Sequence, residues 1–250
     1  MKENKYIEAM KCVEISPETK QRILTESIKT KQNKESYIMM SKKKIGFIAV
    51  AATMILGITA FATSGIISSW YSSSSSTPDY KTLPTIEQSI KDVGYAPILI
   101  EEFDNGYIFE DGRIVKNVLT DANNNSAEEF KTFNFHYTKA GDVVILSQGK
   151  YNSEMPQSGT LISSESGHNI YFTGYTNKVV PANYKMTEDD KKAEQTGELI
   201  FSYGSDEVSI SEINSVSWIA NDIHFNLMQI DGKLSTDNLV EMANYVISQN

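Results

Sequence analysis

Apolar and polar positions divide the chain into three stretches of different rhythm. Residues 45–67 read IGFIAVAATMILGITAFATSGII, an apolar run without charge or alternation. A bilayer crossing takes roughly 20 such residues at about 1.5 Å each, so this run predicts one transmembrane helix. In residues 1–44 the apolar positions are sparse. Tyr6, Ile7, Met10 and Val13 lie near one helical face, and Ser16-Pro17-Glu18 has the form of a helix start, with a capping serine and a first-turn proline. Ile23, Leu24 and Ile28 then make a narrow stripe, too small to be buried by the segment itself. Such a stripe predicts either a docking element for a cytoplasmic partner or a loosely helical tail.

After the apolar run the rhythm changes to alternation. Residues 68–83 are serine-rich and read as a flexible spacer. Residues 84–92 predict a short helix stopped by Gly94. Asn105-Gly106 and Asp111-Gly112 are turn dipeptides, and residues 121–126 form a polar loop. Phe133, Phe135 and Tyr137 alternate with polar partners, as do Val216 and Trp218, and then Ile223, Phe225 and Leu227. This is the spacing of half-buried strands. Asn221-Asp222 suits a tight turn. Residues 187–196 are strongly polar and fit a short exposed helix or a loop. Ser235 is placed to cap a last helix, in which Leu239, Met242, Ala243, Val246 and Ile247 share one face. The expected fold is α+β. A single membrane helix (45–67) joins a cytoplasmic tail (1–44), through a linker (68–83), to an outer domain (84–250). That domain is a twisted antiparallel sheet with N- and C-terminal helices.

Charge supplies the orientation. Lys42, Lys43 and Lys44 abut the apolar run, and Trp70 and Tyr71 close its far end. Lysines favour the cytoplasmic side and aromatic residues the headgroup layer, so the carboxyl-terminal part is expected outside the cell. Residues 1–44 hold eleven Lys/Arg and six Asp/Glu, a sum of +5. The remaining 12 Lys/Arg and 26 Asp/Glu sum to −14, within the overall −9. An acidic outer domain argues against nucleic acid as a partner. Cys12, the single cysteine, falls on the reducing side, which leaves the outer domain without a disulfide. Ala60-Phe61-Ala62 has the form of a signal-peptidase site with cleavage after Ala62. Yet 44 residues precede the apolar core and the run continues past the site, so a retained anchor is expected.

Several residues together resemble a known family. They are Val93-Gly94-Tyr95 with Pro97, Val216-Ser217-Trp218, His224-Phe225-Asn226-Leu227, Gly232 and Leu234-Ser235. With the anchor upstream, the chain resembles single-pass proteins of Gram-positive bacteria that carry an extracellular domain of unknown function. Members are often described as regulators of extracytoplasmic sigma factors. The resemblance covers roughly residues 85–250 and implies a tail that binds a sigma factor, although the tail lacks the His-x-x-x-Cys-x-x-Cys zinc pattern of one anti-sigma class. The domain is also similar to half-barrels that carry lipoproteins or sense envelope stress. That likeness implies a ligand groove, for which the Phe133, Phe135, Tyr137 stripe is the candidate beside its plainer reading as core.

Catalytic signatures do not hold. Ser147-Gln148-Gly149-Lys150 matches S-x-x-K, but it falls on a strand, where the motif needs a helix start. The stretch from Asp121 begins like a calcium loop, yet Ser126 and Thr132 stand where glycine and glutamate are required. Glu188-Asp189-Asp190 reads as a solvated charge run. His136, His168 and His224 are too dispersed to suggest a metal site. No enzyme, metal or cofactor is expected. The functional expectation is a membrane-anchored sensor with an unidentified outer ligand, or alternatively a tethered binding module for lipid, peptide or wall polymer.

Overall fold

The structure, a computed structural model, describes residues 54–56, 69–75, 77–120, 126–150, 159–164, 166–181, 183–196, 199–203 and 205–249. Among them the chain is α+β, with one large sheet and three helices. In chain order the elements are β1 (Met54–Leu56), β2 (Ser69–Ser73), α1 (Ile86–Val93), β3 (Ile108–Thr120), β4 (Ser126–Lys139) and β5 (Asp142–Lys150). Then follow β6 (Thr160–Ser163), β7 (Ile170–Val180), α2 (Glu188–Thr196), β8 (Leu199–Tyr203), β9 (Ser209–Ala220), β10 (Ile223–Ile230) and α3 (Thr236–Ser248). The sheet runs β1-β2-β3-β4-β5-β10-β9-β7-β6, and β8 also pairs with β7. Its far-edge strands β1 and β8 approach within 8 Å, Cα to Cα, so the sheet curls as a half-barrel.

Local chemistry sets the hairpins. Asn221 and Asp222 take φ of 47° and 60° between β9 and β10, and Ala140 and Gly141 take 50° and 87° between β4 and β5. Two consecutive positive-φ residues match the twist of the strands they join. α1 begins with a capping box. Thr85 Oγ1 accepts from Gln88 N at 3.2 Å, and Gln88 Oε1 accepts from Thr85 N at 2.8 Å. Gly94 closes it with φ 90°. Ser235 caps α3 as the sequence predicts.

One face of the sheet is the core. Along the pairing register, Gly112, Phe135, Leu146, Leu227, Val216 and Phe172 stand side by side on six neighbouring strands. α3 lays Leu239, Met242, Ala243 and Val246 into the same cluster, joined by Ile100, Phe103 and Tyr107 from the segment before β3. Two buried glutamines fasten the covering segments to the sheet. Gln148 accepts from Ile98 N and donates to Ile98 O, both at 2.8 Å. Gln229 accepts from Leu234 N at 3.0 Å and donates to Leu234 O at 2.7 Å. A side-chain amide has the donor and acceptor geometry of a backbone residue, so each glutamine replaces a missing strand partner.

Some expectations change. Asp111-Gly112 is not a turn, because β3 runs through it with a bulge between Phe109 and Asp111. A bulge accommodates one extra residue without ending the pairing. The serine-rich spacer is shorter than expected. Ser69–Ser73 is strand, with Trp70 paired to Leu119 and Tyr71 to Val118. The unpaired edge of β3 offers backbone groups that an extended serine segment can satisfy. β8 pairs with β7 in parallel, inside an otherwise antiparallel sheet. Of the apolar run, the described residues are Met54–Leu56, and they are a strand paired with β2 rather than the middle of a helix. A short apolar run suits a strand and a helix alike, and here β2 supplies a pairing edge. Among the described residues no helix is long and apolar enough to cross a membrane. Lys42, Lys43, Lys44, Ile23, Leu24, Ile28, Ala62 and residues 121–125 of the expected polar loop lie outside the described residues, and Ser126, the last of that loop, begins β4.

Candidate functional site

Neighbouring residues on a strand point to opposite faces, so a register that gathers apolar side chains on one face gathers their neighbours on the other. Arg113 pairs with Asn134, Asn134 with Ser147, Ser147 with Asn226, Asn226 with Ser217 and Ser217 with Tyr171. Six strands thus contribute six polar side chains to one row on the second face, which follows the curl of the sheet. At about 4.8 Å per strand the row is about 24 Å long. Asp111, His136, Ile145, Met228, Ser215 and Thr173 form the row beside it. His224, paired with Gly149 and Ile219, lies on the other side of the polar row.

The row is half-buried. Arg113, Asn134, Ser147, Asn226 and Tyr171 keep part of their surface, and Ser217 is buried. At the β3 end the charges are paired. Asp111 Oδ1 lies 2.8 Å from His136 Nδ1, and Arg113 donates to both Asp111 oxygens at 3.3 Å. Burial, the largest single influence on Asp111, raises its pKa. The hydrogen bonds from His136 and Arg113 outweigh it, and the carboxyl ends below its ordinary range. The β3 bulge stands immediately before Asp111 and aims its carboxylate at His136.

In the middle of the row, hydrogen-bonding capacity is left over. Ser147 Oγ donates to Asn134 Oδ1 at 2.8 Å. Asn226 Oδ1 is shielded from solvent and has no hydrogen-bond partner among the described residues. Such atoms are rare in folded proteins and cost about 1–3 kcal/mol each when unpaired. Two residues along the same strand face, burial pushes the His224 imidazole down to about 4, so it is neutral near pH 7. On β7, Tyr175 also has its pKa raised by burial.

The other candidates resolve differently. Phe133, Phe135 and Tyr137 have no exposed surface. In place of an open groove, their face is filled by the chain itself. Tyr80 and Tyr95 sit 5.9 and 6.2 Å from the Phe133 ring, and Phe103 sits 4.8 Å from Tyr137. Ser147 and Lys150 lie on strand β5, and the Ser147 hydroxyl is engaged by Asn134 rather than by a base. Asp190 is drawn into a clip that holds α2 to the sheet. It accepts from Lys178 Nζ at 2.7 Å, from the Tyr184 hydroxyl at 2.8 Å and from Thr187 N at 2.9 Å. Lys178 also lies 5.0 Å over the Tyr184 ring. His168 Nδ1 is 3.0 Å from Ile219 O. Among the described residues no group of three His, Cys, Asp or Glu is placed to hold a metal ion. A shallow cleft of about 320 Å³ opens at the far end of the sheet, between Tyr107, Lys139, Asp142 and Lys233. There the Tyr107 hydroxyl already occupies Asp142, at 2.6 Å.

The polar row is the feature that sequence reading missed. Its signal lay in the partners of the apolar alternation: Asn134 and His136, Ser215 and Ser217, Asn226. Compared with family models, with curated proteins and with solved structures, the chain matches nothing.

Proposed function

We propose that this chain is a single-pass membrane sensor. In this reading residues 45–67 cross the bilayer as a helix, the α+β domain lies outside the cell, and the basic tail engages a cytoplasmic sigma factor or similar partner through Ile23, Leu24 and Ile28. The pairing of Met54–Leu56 with β2 is then exchanged for helix in lipid. An open sheet edge leaves backbone groups unsatisfied there, whereas a helix satisfies its own. The domain is read as a binding module rather than an enzyme, since the Ser147 hydroxyl of the S-x-x-K match is engaged by Asn134.

The observation that carries the reading is β2. Ser69 is already paired with Thr120 of the main sheet, two residues after the apolar run ends at Ile67. A passive tether needs slack. A strand hydrogen-bonded into the ligand-facing sheet instead passes its movements directly to the membrane segment. Inserting about ten Gly/Ser residues between Ile67 and Ser69 restores that slack. The expected result is a folded protein with altered transcription of the partner's target genes. Copurification of a sigma factor with the full chain should be lost on combining Ile23→Asp with Leu24→Asp. Unchanged transcription in both variants would reduce the protein to a tethered binding module.

A further inference from the structure

We propose that the polar row on the second sheet face binds a linear, uncharged glycan lying across the strands. The inference deepens the reading of the outer domain as a binding module, and it names the class of ligand.

Three observations support it. First, the row is polar but carries no unbalanced charge. Arg113 and Asp111 neutralise each other, and the other members are Asn134, Ser147, Asn226, Ser217 and Tyr171. A charged ligand would meet no complement at its centre, whereas hydroxyl and amide groups meet amides and hydroxyls in both donor and acceptor roles. Second, the centre is unsatisfied. Asn226 Oδ1 has no partner among the described residues, and the His224 imidazole beside it is desolvated by burial. A ligand hydroxyl donating to Asn226 Oδ1 would remove the cost of that orphaned acceptor. Third, the geometry repeats. Adjacent strands set successive members of the row about 4.8 Å apart along the curve of the sheet. That is close to the length of one sugar ring, so a linear polymer of rings keeps in step with the row. Tyr171 at the β7 end adds an aromatic face of the kind on which a sugar ring rests.

Uncharged glycans of this form come from two sources, an environmental polysaccharide or the cell's own wall, and N-acetylation tells them apart. The experiment is calorimetric titration of the full chain in non-ionic detergent. The probes are a hexamer of β-1,4-linked glucose, a hexamer of β-1,4-linked N-acetylglucosamine, and an oligogalacturonate of equal length. The expected result is saturable binding of one neutral hexamer. Asn226→Ser and Asn134→Ser should each weaken it by about tenfold, equivalent to ~1.4 kcal/mol, and Tyr171→Ala should weaken it similarly. If Asn226→Ser does not fold, Asn134→Ser and Tyr171→Ala carry the comparison. No heat with either neutral hexamer up to about 10 mM, corresponding to less than ~3 kcal/mol of binding, would overturn the proposal. So would equal binding of the anionic chain, or binding unaffected by the row variants. Failure here leaves the spacer insertion unaffected, because that experiment reads coupling to the membrane and this one reads the ligand.

Discussion

Acid should unfold this domain through one imidazole. In the unfolded chain His224 titrates near the ordinary histidine value of about 6.5. In the folded domain burial pushes it down to about 4. As pH falls between these values the unfolded chain takes up the proton first, and stability is lost. Above 6.5 neither state is protonated and His224 contributes nothing to the pH dependence. Below about 4 both are protonated and the loss is complete. A gap of about 2.5 pH units is worth at most about 3 kcal/mol. Other groups act on different windows or with the opposite sign. Asp111 and Asp190 have lowered pKa values, so their contributions are lost at still lower pH. Burial raises Glu194, so that group gains stability as pH falls. Comparison with His224→Gln cancels all three. Urea unfolding of the full chain in non-ionic detergent can be followed by near-ultraviolet circular dichroism of the stacked Trp218–Phe225 pair, whose rings lie 5.1 Å apart. Between pH 7 and pH 4.5 the native chain should lose about 2–3 kcal/mol more than the variant. Equal slopes in the two proteins would refute the assignment and show the imidazole to be solvated in the folded state.

Other expectations are simpler to state. Phe135→Ala should cost about 3–5 kcal/mol of unfolding free energy, as for a filled core site; a loss under about 1 kcal/mol would mean that the stripe borders an open groove. Gln148→Leu leaves the backbone N–H and C=O of Ile98 without partners, and the urea midpoint should fall by an amount equivalent to about 2–4 kcal/mol. Asp190→Asn weakens the clip to Lys178, so the α2 amides should exchange with deuterium faster while those of β4 and β5 are unchanged. Gly112→Ala brings a methyl within 3.0–3.1 Å of the Phe135 ring; a destabilisation of about 1–3 kcal/mol in chemical denaturation is expected.

Local signals were legible in the sequence and pairing was not. The alternation around Phe133 and Phe225, the stop at Gly94, the turn at Asn221-Asp222 and the cap at Ser235 each depend on residues a few positions apart. All four stand in the structure as read. Asp111-Gly112 misled because a turn dipeptide and a strand bulge have the same local composition, and the partner strand β4 decides between them. β2 was hidden for a related reason. A serine run has no strand rhythm of its own, and its pairing comes from the free edge of β3, more than forty residues on. The polar row is further still from view. Arg113 and Asn226 meet in it only because three strand registers align, and no window of sequence contains that information.

The two glutamine clamps bear on how such a domain can change over generations. Gln148 and Gln229 hold Ile98 and Leu234 by main-chain atoms alone. A grip on the main chain is indifferent to which side chain is carried there. The path over the sheet at positions 98 and 234 is therefore held whichever side chain stands there, while Ile100, Phe103 and Tyr107 are fixed by their burial in the core. The two glutamines themselves have no such freedom, because no other uncharged side chain of that length offers a donor and an acceptor together.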